Sequence, residues 1–332
     1  MSSDFSLADP FTRIRLPFWT MALVAMLLIP TTVWGQAGTQ RTLARRAQPL
    51  QDSQEPEIGD PTTVSLTTKD NVVLRCDFYP GISSKTTVPF ILLHDWGGNR
   101  AQLKAFAEYL HQNMKHTVIV PDLRGHGEST SVSGSDKPLD LKKFKRDDVS
   151  SLMLDIERCK KFLMEKNNSG ELNIEMLTVV AIGKMAVNAV QWSVDDWKWD
   201  PIGGIKQGKD VKAVVMISPE RKLKGLSMSQ NLKNPLFTGK GGKPLAVYIA
   251  WAGDDKTADR EGSNISKSLE KSREKLAIPM FQVRDPYPTD LTATGLVADP
   301  KHKVVFNDVA KFIEATLIKN QDVLPWQNRA KK

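Results

Sequence analysis

The feature that most constrains this chain is its regular succession of short apolar runs and longer segments with helical spacing. "VPFILLHDWGG" reads as an apolar strand ending in a Gly-rich loop. "RAQLKAFAEYLHQN" follows, with Leu103, Phe106 and Leu110 on one helical face. The cycle repeats through "HTVIVPDLRGHGEST" and the amphipathic run "DDVSSLMLDIERCKKFLMEKN", then through "LTVVAIG" and "KMAVNAVQWSVDDW". It continues with strands "VKAVVMISP" and "KPLAVYIAWAGDD", helix "SNISKSLEKSREKL", strand "PMFQVRD" and helix "VVFNDVAKFIEATL". Ahead of this series, "TVSLTT" and "VVLRCDFY" flank "KDN" as a hairpin. Strands alternating with helices of this length require right-handed crossovers, so the expected class is α/β, a mostly parallel central sheet with helices on both faces. The stretch "ERKLKGLSMSQNLKNPLFTGKGGK" between two of the strands is too short for a separate lid domain. In such sheets ligands sit at the carboxyl ends of the strands, so the loops there carry the functional reading.

The N-terminus sets the expected organisation. Arg13 and Arg15 precede the apolar stretch "LPFWTMALVAMLLIPTTVWG", which Pro30 interrupts. The uninterrupted apolar run, roughly 13–15 residues before Pro30, is shorter than the about 20 residues a membrane span needs and suits a secretory signal. Val33 and Gly35 are the small residues of a cleavage site. The expectation is a signal over 1–35, a flexible polar leader over 36–60, a folded domain over 61–320 and a basic tail over 321–332. The chain is then exported, periplasmic or secreted, and touches a membrane only if the signal stays uncleaved.

Charge and cysteine content exclude some partners. The formal charge is +8, but the lysines are spread along the chain. Nucleic-acid binding would need a compact basic patch with interleaved aromatics, and none is evident. Attraction to anionic surfaces is the residual electrostatic reading. The two cysteines, Cys76 in a strand and Cys159 in a helix, leave their pairing open, and the five histidines are scattered without metal-ligand spacing.

With the loops placed, the sequence resembles the α/β-hydrolase family over roughly residues 62–318. The resemblance rests on "LLHDWGG" (to Gly98), "PDLRGHGEST" (Pro121 to Thr130), the strand–turn–helix at Gly183, "AGDD" (Ala252 to Asp255) and a Gly-containing loop before the last helix. No cofactor and no metal are expected. The resemblance implies a nucleophile in a G-x-S-x-G turn, a histidine base, an acid and an oxyanion hole. Aligned on Gly183, Met185 takes the nucleophile position and Val187 replaces the second glycine. A thioether has no proton to lose and cannot act as the acyl-transfer nucleophile. Thr294, beside Gly295, stands where the base is expected, and His302 lies later, after Pro300, as a displaced base. Asp255, or Asp254 as second choice, keeps the place of the acid. Gly97 and Gly98 retain the oxyanion loop, while Asp95 occupies a place often taken by glycine. Asp95, Trp96, Gly97, Lys184 and Met185 are the expected cleft residues. His94 and His126 read as loop-ordering groups, and Trp192 and Trp197 as core or cleft bracing.

These losses lead to the expectation of a catalytically degenerate protein that binds a small molecule or a protein partner in the residual cleft. The alternative is an active hydrolase, of esterase or peptidase type, with a non-standard constellation. Ser193, Ser218 and His302 are the recruits that it would call on.

Overall fold

The computed structural model describes residues 57–330, apart from 241, 243, 274–280, 284–285 and 299–302. The expected signal, nearly all of the leader and His302 therefore lie outside the described residues. Among the described residues no helix is long and apolar enough to cross a membrane.

The hairpin expected from "KDN" forms β1 (Thr62–Thr67) and β2 (Val72–Tyr79), with Asn71 at φ +66° in the turn. The later strands are β3 (Pro89–Leu93), β4 (Thr117–Pro121), β5 (Ser131–Val132), β6 (Leu177–Ile182), β7 (Val211–Ile217), β8 (Lys222–Leu223), β9 (Leu226–Ser227), β10 (Ala246–Ala250) and β11 (Phe281–Val283). The main sheet runs β1-β2-β4-β3-β6-β7-β10-β11, with β5 paired on β2 and β8–β9 a separate hairpin. β2 pairs antiparallel with β1, β4 and β5, and the other pairings described in that sheet are parallel. Every residue of β3, β4, β6 and β10 is buried. A strand covered by helices on both faces has no solvent side, which is why these segments read as unbroken apolar runs.

The helices are α1 (Lys104–Glu108), α2 (Arg146–Ser150), α3 (Met153–Asn168), α4 (Ala186–Asp196), α5 (Pro235–Thr238), α6 (Lys256–Arg273), α7 (Gly295–Ala298) and α8 (Lys303–Thr316). Ile156 and Leu163 of α3, Val190 and Trp192 of α4, and Ile265 of α6 fill the core on one face of the sheet. Phe106 of α1, Leu296 of α7, and Phe306 and Phe312 of α8 fill the other. The run expected as one helix divides into α2 and α3. At the break the Ser151 hydroxyl bonds back to the Asp147 carbonyl at 3.0 Å, a serine contact that competes with the helical ladder. Cys76 and Cys159 are free thiols in the same buried core.

Part of the expected basic tail packs against the domain. Asn173 and Asn167 donate to the carbonyls of Leu324 and Gln327, both at 2.9 Å, and tie the segment down. Arg329, its side chain only 4% exposed, then pairs with Glu175 at 2.9 Å and Asp210 at 2.8 Å. Asp210 also faces Lys206 at 3.2 Å and Lys160 at 3.5 Å, and Lys160 reaches Asp196 at 2.7 Å. Asp210 immediately precedes β7 and Glu175 lies two residues before β6, so this network seals the amino ends of the central strands.

Removing one partner of a buried ion pair leaves the other charge uncompensated, at a cost of about 3–5 kcal/mol. Arg329→Ala is expected to lower the unfolding free energy by about that amount in urea titrations, with Arg329→Lys recovering part of it.

Candidate functional site

The carboxyl ends of the strands lie at the opposite edge. The strand order reverses at β3, whose neighbours β4 and β6 carry their connections to either side, and such a switch point opens a crevice. The loop after β3 and the turn after β6 meet there.

β6 leaves the sheet at Gly183, whose φ of +55° is in the left-handed region that favours glycine. Gly183–Met185 form one tight turn that runs into α4. Met185 has ordinary helical angles, φ −68° and ψ −11°, and is fully buried in the core beneath α4. The strained corner that holds a nucleophile in this architecture is therefore Gly183, two residues before the position expected for it. Gly183 is thus the corner itself and not the motif's first glycine, a place that Ala181 holds. Met185 is a core side chain, and the corner residue has no side chain at all.

Asp95 fills the space that the corner leaves. A Cβ built on Gly183 would overlap the Asp95 carboxylate. Asp95 Oδ1 accepts from the Trp96 N–H at 2.7 Å and the Lys184 N–H at 2.8 Å. One donor follows the corner and the other belongs to the loop after β3, the two sources of an oxyanion hole in this fold. The expected donors are not the ones used: Gly98 N–H turns back to the Asp95 carbonyl at 2.9 Å, and Gly97 supplies the loop's left-handed step at φ +82°. Asp95 Oδ2 has no hydrogen-bond partner among the described residues, and the side chain is half-buried.

The surrounding loops hold this arrangement. His94 Nδ1 donates to the Asp95 carbonyl at 2.8 Å, and its Nε2 accepts from the Leu123 N–H at 3.1 Å. Burial, partly opposed by that bond to Asp95, pushes His94 down to about 4, so it is neutral at pH 7. The His126 ring lies edge-on to both His94 and Trp96, each with centroids 5.0 Å apart. Its Nδ1 bonds to the Arg124 carbonyl at 3.0 Å, its Nε2 is buried without a partner, and burial lowers its pKa. Asp122 accepts from the Arg100 and Glu128 N–H groups at 2.7 and 2.9 Å, and Arg124 clasps Asp155 and Asp70. The "DLRGHGES" motif thus orders the loop that backs Asp95.

The remaining expected residues take other places. Asp255 Oδ1 accepts from the Thr257 and Ala258 N–H groups at 3.0 and 2.7 Å and caps α6, while Asp254 is exposed. A carboxylate at a helix start is favoured for the helix's own sake. The Thr294 carbonyl closes the first turn of α7, and its side chain offers no base. The Lys184 ammonium is half-exposed and pairs with Glu220 at 3.7 Å. Trp192 is buried and bonds to Glu157, and Trp197 bonds to the Val211 carbonyl, so both brace the core. Ser193 is spent on the Ala189 carbonyl of its own helix at 2.7 Å. Ser218 ends β7 at φ +46°, and its buried hydroxyl has no partner. The functional feature that the sequence did not give is the Asp95 contact. Its only signal was a carboxylate where glycine is usual.

No family model and no curated protein sequence matches the chain. Its fold is similar to that of solved esterases. The Pyrococcus furiosus esterase Pf2001 is 16% identical at a TM-score of 0.50, over 77% of this chain and 90% of that one. The thermophilic carboxylesterase EstE1 from a metagenomic library is 12% identical at 0.54, over 79% and 91%. The esterase of the archaeon Pyrobaculum calidifontis is 12% identical at 0.51, over 79% and 85%. The chain therefore has the α/β-hydrolase fold, with the mostly parallel sheet expected from sequence. Because these neighbours are esterases, the expectation of a catalytically degenerate binding protein is set aside.

Two outcomes follow from this geometry. Gly183→Ser would place a side chain at a left-handed corner already filled by a carboxylate, and is expected to cost about 1–3 kcal/mol. Adding Asp95→Gly should restore part of that loss, a non-additivity read from a double-mutant cycle in urea. Stability should also fall as pH drops. His94 and His116, both buried and held at about 4, stay neutral in the fold while the unfolded chain takes up protons near pH 6.5. The contribution of each is complete above pH 6.5 and declines by about 1.4 kcal/mol per unit down to pH 4. Urea titrations at pH 7 and 5 measure the slope, and His116→Gln should reduce it.

Proposed function

We propose that the chain is a hydrolase acting on esters, with the Asp95 carboxylate standing where an elbow serine would place its hydroxyl. The observation that carries the reading is the seat of that carboxylate, at the side-chain-free corner Gly183 and between the two backbone donors, Trp96 N–H and Lys184 N–H. The fold's similarity to esterases supports the reaction class.

The chemistry follows from which atoms are taken and which are free. Oδ1 is fixed by two N–H groups, so the carboxylate is oriented before substrate arrives. Oδ2 is left to act: it takes a proton from a water whose oxygen bonds to the ester carbonyl carbon. As the tetrahedral intermediate collapses and the bond to the alkoxy group breaks, the proton passes from Oδ2 to the departing alcohol, releasing acid and alcohol and restoring the carboxylate. With the oxyanion hole filled by Oδ1, the charge developing on the carbonyl oxygen needs another source of stabilisation. The Lys184 ammonium rises from the same turn and supplies a mobile cation. Ser218 is not needed in this scheme.

The test is turnover of p-nitrophenyl acetate and butyrate by the purified protein. Asp95→Asn should lower kcat/KM by about 100-fold or more, the usual worth of a positioned base. Ser218→Ala should leave it unchanged, and a fluorophosphonate probe should leave the protein unlabelled. Wild-type protein without turnover, or Asp95→Asn with full activity, would overturn the proposal; labelling lost in Ser218→Ala would move the nucleophile to that serine.

A further inference from the structure

A second feature on the same edge of the sheet plays no part in the chemistry above. A cleft of about 390 Å³ opens between α2, the first turns of α4 and the β8–β9 hairpin. Its volume falls within the range of small-molecule sites, about 300–1,000 Å³. All three walls follow the carboxyl ends of strands, the edge where this architecture receives ligands.

The lining is mixed in a way that specifies a ligand. Met153, Val187 and Leu226 supply an apolar surface. Arg146 stands exposed on the lining, and its guanidinium makes no ion pair or hydrogen bond among the described residues. Asn188, 1% exposed, forms part of the wall. Its Nδ2 donates to the Val149 carbonyl at 2.7 Å, which fixes the amide, while Oδ1 is buried and has no partner. A buried acceptor left unpaired costs about 1–3 kcal/mol, a penalty that a donor brought by a ligand would remove. The other amide on the wall, Gln191, is already engaged with Asn231 and with Asp195.

We infer that this cleft binds a small organic anion with an apolar body, its carboxylate paired with Arg146 and a hydroxyl or N–H donor directed to Asn188 Oδ1. The site is independent of the hydrolase reading, because binding is measured without turnover.

Three probes isolate the two polar contacts: 4-hydroxyphenylacetate, phenylacetate without the donor, and 2-(4-hydroxyphenyl)ethanol without the carboxylate. Isothermal titration of the purified protein should show 4-hydroxyphenylacetate binding at least about fivefold more tightly than either comparison probe, consistent with one net hydrogen bond or ion pair each. Arg146→Gln, a surface change that leaves the core intact, should abolish the preference over the alcohol and retain the preference over phenylacetate. Asn188→Asp puts a charged oxygen on the wall and should weaken both carboxylates. Its fold is checked by circular dichroism, and the Arg146 result stands without it. Equal binding of all three probes, no binding of any, or an unchanged preference in Arg146→Gln would overturn the inference.

Discussion

The carboxylate of Asp95 is the contact on which the functional edge of this molecule depends. It joins the loop after β3 to the turn after β6 through two backbone N–H groups. In this fold those groups normally wait for charge to develop on a substrate. Here they are satisfied before any substrate arrives, by an ionisable group of the chain itself. The arrangement requires Gly183, because any side chain at the corner would compete for the same volume. One acidic residue and one glycine, distant in sequence, thus define each other's identity.

The rest of the edge is built to hold that carboxylate still. His94 spans from the Asp95 carbonyl to the Leu123 N–H, and the Asp122 and Arg124 ion pairs fix the loop behind it. These side chains hold the loop through bonds to its backbone and to charges on neighbouring elements. The histidines are accordingly neutral spacers, and their burial outweighs the bonds that would favour protonation.

The sheet and its helices were legible in the sequence because burial on both faces leaves a simple trace, an apolar run followed by a helical period. The site was legible only in part. The loop at Asp95 and the turn at Gly183 were marked as cleft, but the register of the turn was misplaced by two residues. Glycine serves equally as a motif's leading small residue and as its strained corner, and only the backbone angle separates these roles. Asp255 misled for a related reason, since a carboxylate after a strand satisfies either a catalytic histidine or the start of a helix. The contact between Asp95 and Lys184 joins residues far apart in the chain, and no local pattern encodes it. The pairing of Arg329 with Glu175 and Asp210 was hidden likewise, so these residues read only as a basic tail.

That last network has a kinetic meaning. Arg329 lies 154 residues from Glu175 and 119 from Asp210 along the chain. Closing loops of that length carries a large entropic cost, so such contacts form after the local helices and the neighbouring strands have assembled. Interactions that are absent from the folding transition state slow unfolding without speeding folding. The final arginine therefore works as a latch on an assembled sheet, and it lengthens the lifetime of the native state more than it hastens its arrival.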